Sequence, residues 1–197
     1  MKVINCLIIM LCFVFLGCTE DENTDGGIWE IPINSIKPTI EIAKGDFAFK
    51  FCLLDDNNNP STKFKEGENI HFYLSLENLS KEEIILEDKF FAPDFFMIYN
   101  EENKEVGKPF TGVFCTFEMG GLPRWVEIKP DETVSFHLPW TVKLGEWVYA
   151  DTYPFCLVES DKEPLKVGKY SCKVPINLDY TQKGKGKMLL IINFEIL

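Results

Sequence analysis

Between Tyr170 and Leu178 the chain alternates Tyr170, Cys172, Val174, Ile176 and Leu178 with Ser171, Lys173, Pro175 and Asn177. A period of two sends successive side chains to opposite faces of an extended strand, so this segment has one dry face and one wet face. Ile70, Phe72, Leu74 and Leu76 against His71, Tyr73, Ser75 and Glu77 repeat the beat, as do Val134, Phe136 and Leu138 against Ser135 and His137. Antiparallel sheets packed on a single side carry this pattern.

Further strand-like runs cover Phe47–Leu54, Glu83–Glu87, Phe95–Tyr99, Val113–Glu118, Trp125–Ile128 and Met188–Ile196. Turn chemistry separates them at Asp55-Asp-Asn-Asn-Asn-Pro60, Asn100-Glu-Glu-Asn103, Met119-Gly-Gly-Leu-Pro123, Lys129-Pro-Asp131 and Lys183-Gly-Lys-Gly-Lys187. No window supports an amphipathic helix longer than about two turns. The expectation is an all-β domain: an immunoglobulin-like antiparallel β-sandwich of about nine strands. With 197 residues, 46% of them apolar and 17 phenylalanines, one sizeable core is the default.

The first residues read differently. Lys2 is followed by Leu7-Ile-Ile-Met-Leu-Cys-Phe-Val-Phe-Leu16 and then Gly17-Cys18. A charged start, an apolar run and a small residue form the signal-peptide layout, and the run is short for a membrane span. Gly17-Cys18 at its end resembles a bacterial lipobox. That resemblance implies cleavage before Cys18 and lipid on its sulfur, so residues 1–17 are a lipoprotein signal peptide and the membrane is a partner. Buried acyl methylenes contribute about 0.8 kcal/mol each, so two or three chains anchor a small domain stably.

Thr19-Glu-Asp-Glu-Asn-Thr-Asp-Gly-Gly27 carries four acids and no apolar side chain, so residues 18–28 read as a flexible acidic tether before a domain spanning 29–197. An acidic cluster behind the lipidated cysteine also resembles the export signal of surface-exposed outer-membrane lipoproteins in some diderm bacteria. The formal net charge of −11 repels phosphate backbones and argues against nucleic acid as a partner.

Of seven cysteines, Cys6 and Cys12 fall in the signal and Cys18 in the anchor, leaving Cys52, Cys115, Cys156 and Cys172. Export would permit two disulfides. Cys52 and Cys172 nevertheless sit inside strand patterns among apolar neighbours, where a thiol behaves as a small hydrophobe, and buried thiols are the favoured reading.

A second resemblance covers most of the domain. Gly67-Glu68 opens a strand closing on Asn78-Leu79-Ser80; Phe95-Phe-Met-Ile-Tyr-Asn100 follows; Ile128-Lys-Pro-Asp-Glu-Thr133 leads through Val134-Ser-Phe136 to Trp140; and Leu165-Lys-Val-Gly-Lys-Tyr170 opens a late strand. In this order the pieces resemble the intracellular proteinase inhibitor (BsuPI-like) immunoglobulin-like family. The resemblance implies the sandwich and, as an alternative function, proteinase inhibition, but no inhibitory loop is identifiable. Tyr170 at a strand entry can pin a corner through its hydroxyl.

Catalytic chemistry finds no frame. There is no G-x-S-x-G, no H-E-x-x-H, no C-x-x-C pair and no Walker A motif. His71 and His137 read as solvated polar-face residues, and Asp55-Asp-Asn-Asn-Asn59 as a polar turn rather than a calcium loop. No cofactor, metal site or enzymatic activity is expected. The longest stretch outside strands and simple turns runs from Thr141 to Val167 and holds Trp147, Tyr149, Tyr153 and Phe155, which Trp125 and Trp140 could extend. Aromatics in a loop can stack on sugar rings or anchor a protein, or they can fold back and plug the core. The functional expectation is a non-catalytic, lipid-anchored binding or scaffold protein of the cell envelope. Proteinase inhibition and glycan binding through loop aromatics are the alternatives.

Overall fold

The computed structural model describes residues 30–87, 96–109, 125–149, 156–160, 162–181, 183–184 and 186–197. These residues form the strands β1 (Glu30–Ser35), β2 (Thr39–Lys44), β3 (Phe47–Leu54), β4 (Lys63–Phe64), β5 (His71–Asn78), β6 (Ile84–Glu87) and β7 (Met97–Asn100). They continue with β8 (Glu105–Gly107), β9 (Trp125–Ile128), β10 (Thr133–Pro139), β11 (Val142–Tyr149), β12 (Cys156–Ser160), β13 (Gly168–Asn177) and β14 (Lys187–Ile196). A 3-10 turn covers Leu178–Tyr180.

The fold is an all-β sandwich. One sheet runs β1-β14-β13-β7-β8 with β4 also on β14; the other runs β10-β5-β3-β2. Two further pairs, β6 with β9 and β11 with β12, complete the set. The strands outnumber the nine or so expected from sequence because β4 and β8 are too short to show a period and β1 is interrupted by Pro32. The predicted strand at Val113–Glu118 lies outside the described residues.

Not every pairing is antiparallel. β1 and β4 both run parallel to β14, Glu30 facing Lys187 and Phe64 facing Ile196. Parallel neighbours need a long crossover between them, and here most of the domain separates β1 from β14.

The period-two segments behave as their chemistry requires. β14 alternates buried and part-exposed residues along its whole length: Met188, Leu190, Ile192, Phe194 and Ile196 point into the core. Its partner β13 matches it residue for residue from Gly168–Ile196 to Asn177–Lys187. From the opposite sheet come Phe47, Phe49, Phe51 and Leu53 of β3, Phe72, Leu74 and Leu76 of β5, and Val134, Phe136 and Leu138 of β10. All of these belong to one cluster, so a single core joins the two sheets. Phe96 is fully buried between Phe51 and Phe72, its ring centroid 6.0 and 5.7 Å from theirs.

One polar residue ties the sandwich edge together. Asn78 ends β5 with no exposed surface. Its amide donates to the carbonyls of Glu82 at 2.7 Å and Ile128 at 2.8 Å, and its side-chain oxygen accepts from the Ser80 backbone at 2.8 Å. Its own N–H donates to the Glu132 carbonyl, and the Asp131 N–H donates to its carbonyl. Every polar group of this buried side chain is therefore used, the condition under which such burial is tolerated.

Turns at Asp55–Pro60 and Lys129–Asp131 follow the sequence reading; the expected turn at Met119–Pro123 lies outside the described residues. In the Asp55–Pro60 turn the Asp55 carboxylate accepts from the backbone of Asn57 and Asn59, each at 2.8 Å. Those bonds hold the acid below its ordinary range. In the Lys129–Glu132 turn the Glu132 carboxylate accepts from the Lys129 N–H at 2.8 Å.

Candidate functional site

The stretch from Thr141 to Val167 is not the strandless loop that the sequence suggests. It folds into the hairpin β11–β12, with Trp147 opposite Val158 and Tyr149 opposite Cys156. A register shift lies between Val142 and Trp147. That bulge breaks the alternation that would have revealed the strand. The hairpin forms its own two-stranded sheet rather than extending either large one. Of the aromatics singled out from sequence, Trp147 and Tyr149 lie two positions apart on β11, while Tyr153 and Phe155 lie outside the described residues, as does Cys18.

Both feet of the hairpin are clamped. At the first, the Asn69 side chain makes a two-way bond with Thr141: its amide donates to the Thr141 carbonyl at 3.0 Å, and its oxygen accepts from the Thr141 N–H at 2.9 Å. The neighbouring Trp140 N–H donates to the Ile70 carbonyl at 2.7 Å. At the second foot, the Trp140 indole N–H donates to the Glu163 carbonyl at 2.9 Å. Trp140 is 3% exposed, its ring centroid 6.3 Å from that of Phe72. It is thus a core residue that reaches out to hold the returning strand, not a surface aromatic.

The segment after the second foot runs into β13 through a pinned corner. The Tyr170 hydroxyl donates to the Lys166 carbonyl four residues upstream at 2.8 Å, and its ring stacks on Phe194 at 5.5 Å. This is the corner expected from a tyrosine at a strand entry. Burial pushes its hydroxyl above the usual phenol range.

Lys162 sits between the second foot and this corner. Its ammonium lies 4.2 Å from the centroid of the Trp140 ring, in cation–π contact. Burial, aided by the nearby charge of Lys108, lowers its pKa to about 8. Sequence reasoning missed Asn69 and Lys162, because each acts on a residue far from it or in an unpatterned segment.

Elsewhere the histidines differ from expectation. His71 and His137 do lie on the outer face of β5 and β10, but both are half-buried. Their rings are 5.1 Å apart, with the Tyr73 ring 6.2 Å from His137. His71 Nε2 lies 3.5 Å from Asp56. The register explains the contact: Tyr73 faces His137 and Pro139 faces His71, so the imidazoles are diagonal neighbours that shield one another.

Cys52 and Cys172 are buried free thiols, as the strand pattern suggests. Burial pushes Cys172 well above its ordinary value and Cys52 up to about 11. Cys156 is on β12, and Cys115 lies outside the described residues. Among the described residues, no group of three or more His, Cys, Asp or Glu side chains is placed to hold a metal.

No protein-family model matches this chain, and no curated protein does. Among solved structures it is similar to the crystal structure of the yjhA protein from Bacillus subtilis. The identity is 11%, the match covers 82% of this chain and 98% of that one, and the TM-score is 0.32. A likeness of that size adds nothing to what the strand pairing already gives.

Proposed function

We propose that this chain is a lipid-anchored binding or scaffold protein of the bacterial cell envelope. Acyl chains on Cys18 hold it to the outer membrane, displayed at the cell surface, and the β11–β12 hairpin meets a protein or glycan partner. The sequence supports the anchor through the apolar run ending at Gly17-Cys18 and the acidic tether behind it. The observation that carries the binding reading is the hairpin itself. It pairs with neither large sheet, bears Trp147 and Tyr149, and has both feet clamped by Asn69 and Trp140. Binding residues mounted on a rigid scaffold lose little entropy on meeting a partner.

No catalytic step is assigned to any residue. Proteinase inhibition stands as the second reading, drawn from the family resemblance of the Gly67–Asn78, Phe95–Asn100, Ile128–Trp140 and Leu165–Tyr170 segments.

The test uses the full chain carrying Cys18→Ser, screened against a glycan array and a panel of proteinases. A glycan signal lost on combining Trp147→Ala with Tyr149→Ala supports the proposal. Stoichiometric inhibition of a proteinase supports the second reading instead. A signal untouched by both substitutions removes the hairpin from consideration.

A further inference from the structure

Independently of the hairpin aromatics and of the anchor, we infer that the pocket where β8 meets the 162–170 segment binds a small planar organic anion, whose charge pairs with the Lys162 ammonium while its ring packs against the apolar wall.

The pocket holds about 320 Å³, and its walls include Val106, Trp140, Lys162, Leu165 and Tyr170. That is the lower end of the volume range of small-ligand sites. Trp140 and Leu165 are part of the rigid core, so the wall is preformed.

Its two aromatic polar groups are already committed, the Trp140 indole to the Glu163 carbonyl and the Tyr170 hydroxyl to the Lys166 carbonyl. Also lining the space, and less exposed than its charged neighbours Glu163 and Lys166, is the Lys162 ammonium. No carboxylate among the described residues lies within ion-pair distance of it. The chain has 31 acidic residues against 20 basic ones, so a half-buried ammonium beside a second lysine and with no ion-paired carboxylate among the described residues runs against the composition.

The backbone makes room for that amine. Gly107 adopts φ +138°, and a Cβ there would come within 3.0 Å of Lys162 Nζ and 3.8 Å of the Trp140 ring. A side chain at this position would crowd the ammonium, which would have to give by a few tenths of an ångström. The lowered pKa of Lys162 reports the same frustration, since burial and Lys108 both disfavour its charge. A bound anion reverses both effects, restoring a charge-assisted bond in a partly desolvated site. The other charged groups lining the pocket, Glu163 and Lys166, are exposed and screened by water.

Benzoate and its neutral isostere benzamide are titrated into the full-length protein in detergent, following the indole ¹⁵N–H resonance of Trp140, assigned by its loss in Trp140→Phe. The expected result is a saturable shift with benzoate and roughly tenfold or weaker affinity for benzamide. Lys162→Met, which keeps the apolar stem, should erase that preference, and Lys162→Arg should retain it. Equal affinity for the two probes, unchanged benzoate binding in Lys162→Met, or no benzoate-dependent shift at that resonance would each overturn the assignment.

Discussion

The indole N–H of Trp140 and the backbone carbonyl of Glu163 lie 2.9 Å apart across 23 residues of chain. The whole β11–β12 hairpin is contained in that interval. A ring seated in the core thus closes the base of the element proposed to bind, and the distance between its feet is set by core packing. The partner clamp, Asn69 on Thr141, works from the other side.

Removing either clamp should therefore loosen the hairpin before it harms the sandwich. Trp140→Phe keeps most of the apolar volume and deletes the bond to Glu163, with an expected cost of about 1–3 kcal/mol in urea unfolding. Asn69→Ala should accelerate hydrogen exchange at the Thr141 amide while exchange at the core amides of β13 and β14 stays unchanged. Equal acceleration throughout would mean that the clamp is a global stability element.

Asn78 should be among the least replaceable polar residues. Alanine at this site deprives the buried Ile128 carbonyl and the part-buried Glu82 carbonyl and Ser80 N–H of this partner. The expected destabilisation is about 2–4 kcal/mol, read from denaturant midpoints at constant m-value. Asn78→Asp should do no better, because a carboxylate cannot donate to the two carbonyls.

Tyr170→Phe isolates the corner bond. The ring stays stacked on Phe194 and only the hydroxyl contact with Lys166 is lost. A loss of about 0.5–1.5 kcal/mol is expected in chemical denaturation, and a loss of secondary structure is not.

The buried thiols give a pH dependence with a definite sign. Unfolded cysteines ionise near 9.0, whereas burial moves Cys52 up to about 11 and pushes Cys172 well above its ordinary value. Above pH 9 the unfolded chain therefore binds fewer protons than the folded one, and stability falls as pH rises. The contribution of Cys52 is fully present below pH 9 and is lost through about 11. Urea unfolding from pH 7 to 11 checks the trend. Iodoacetamide at pH 8 should label Cys52 and Cys172 only after denaturation.

Much of the sandwich was legible because β5, β10 and β13 alternate apolar and polar residues in sequence, and a one-residue slip would turn their apolar side chains to water; β14 was legible only as an apolar run, Met188-Leu-Leu-Ile-Ile192, whose parity the fold reveals. The Tyr170 corner was legible too, since Gly168-Lys-Tyr170 marks a strand entry. β11 was not: its bulge and Gly145 break the parity that identifies a strand. Nor could sequence reveal what Asn69 and Lys162 do. Neither residue type carries a period, and the partners that give them meaning, Thr141 and Trp140, are brought to them by the fold. The half-burial of His71 and His137 was hidden for the same reason, because it depends on the register between β5 and β10.

The claim on which the functional proposal rests is the acylated cysteine. Intact-mass and N-terminal peptide mass spectrometry of the protein purified from membranes reads it directly. The prediction is a chain beginning at Cys18, carrying a thioether-linked diacylglycerol and an acylated amine, and moving to the soluble fraction in Cys18→Ser. A native polypeptide still beginning at Met1, or one cleaved without lipid on Cys18, would contradict it.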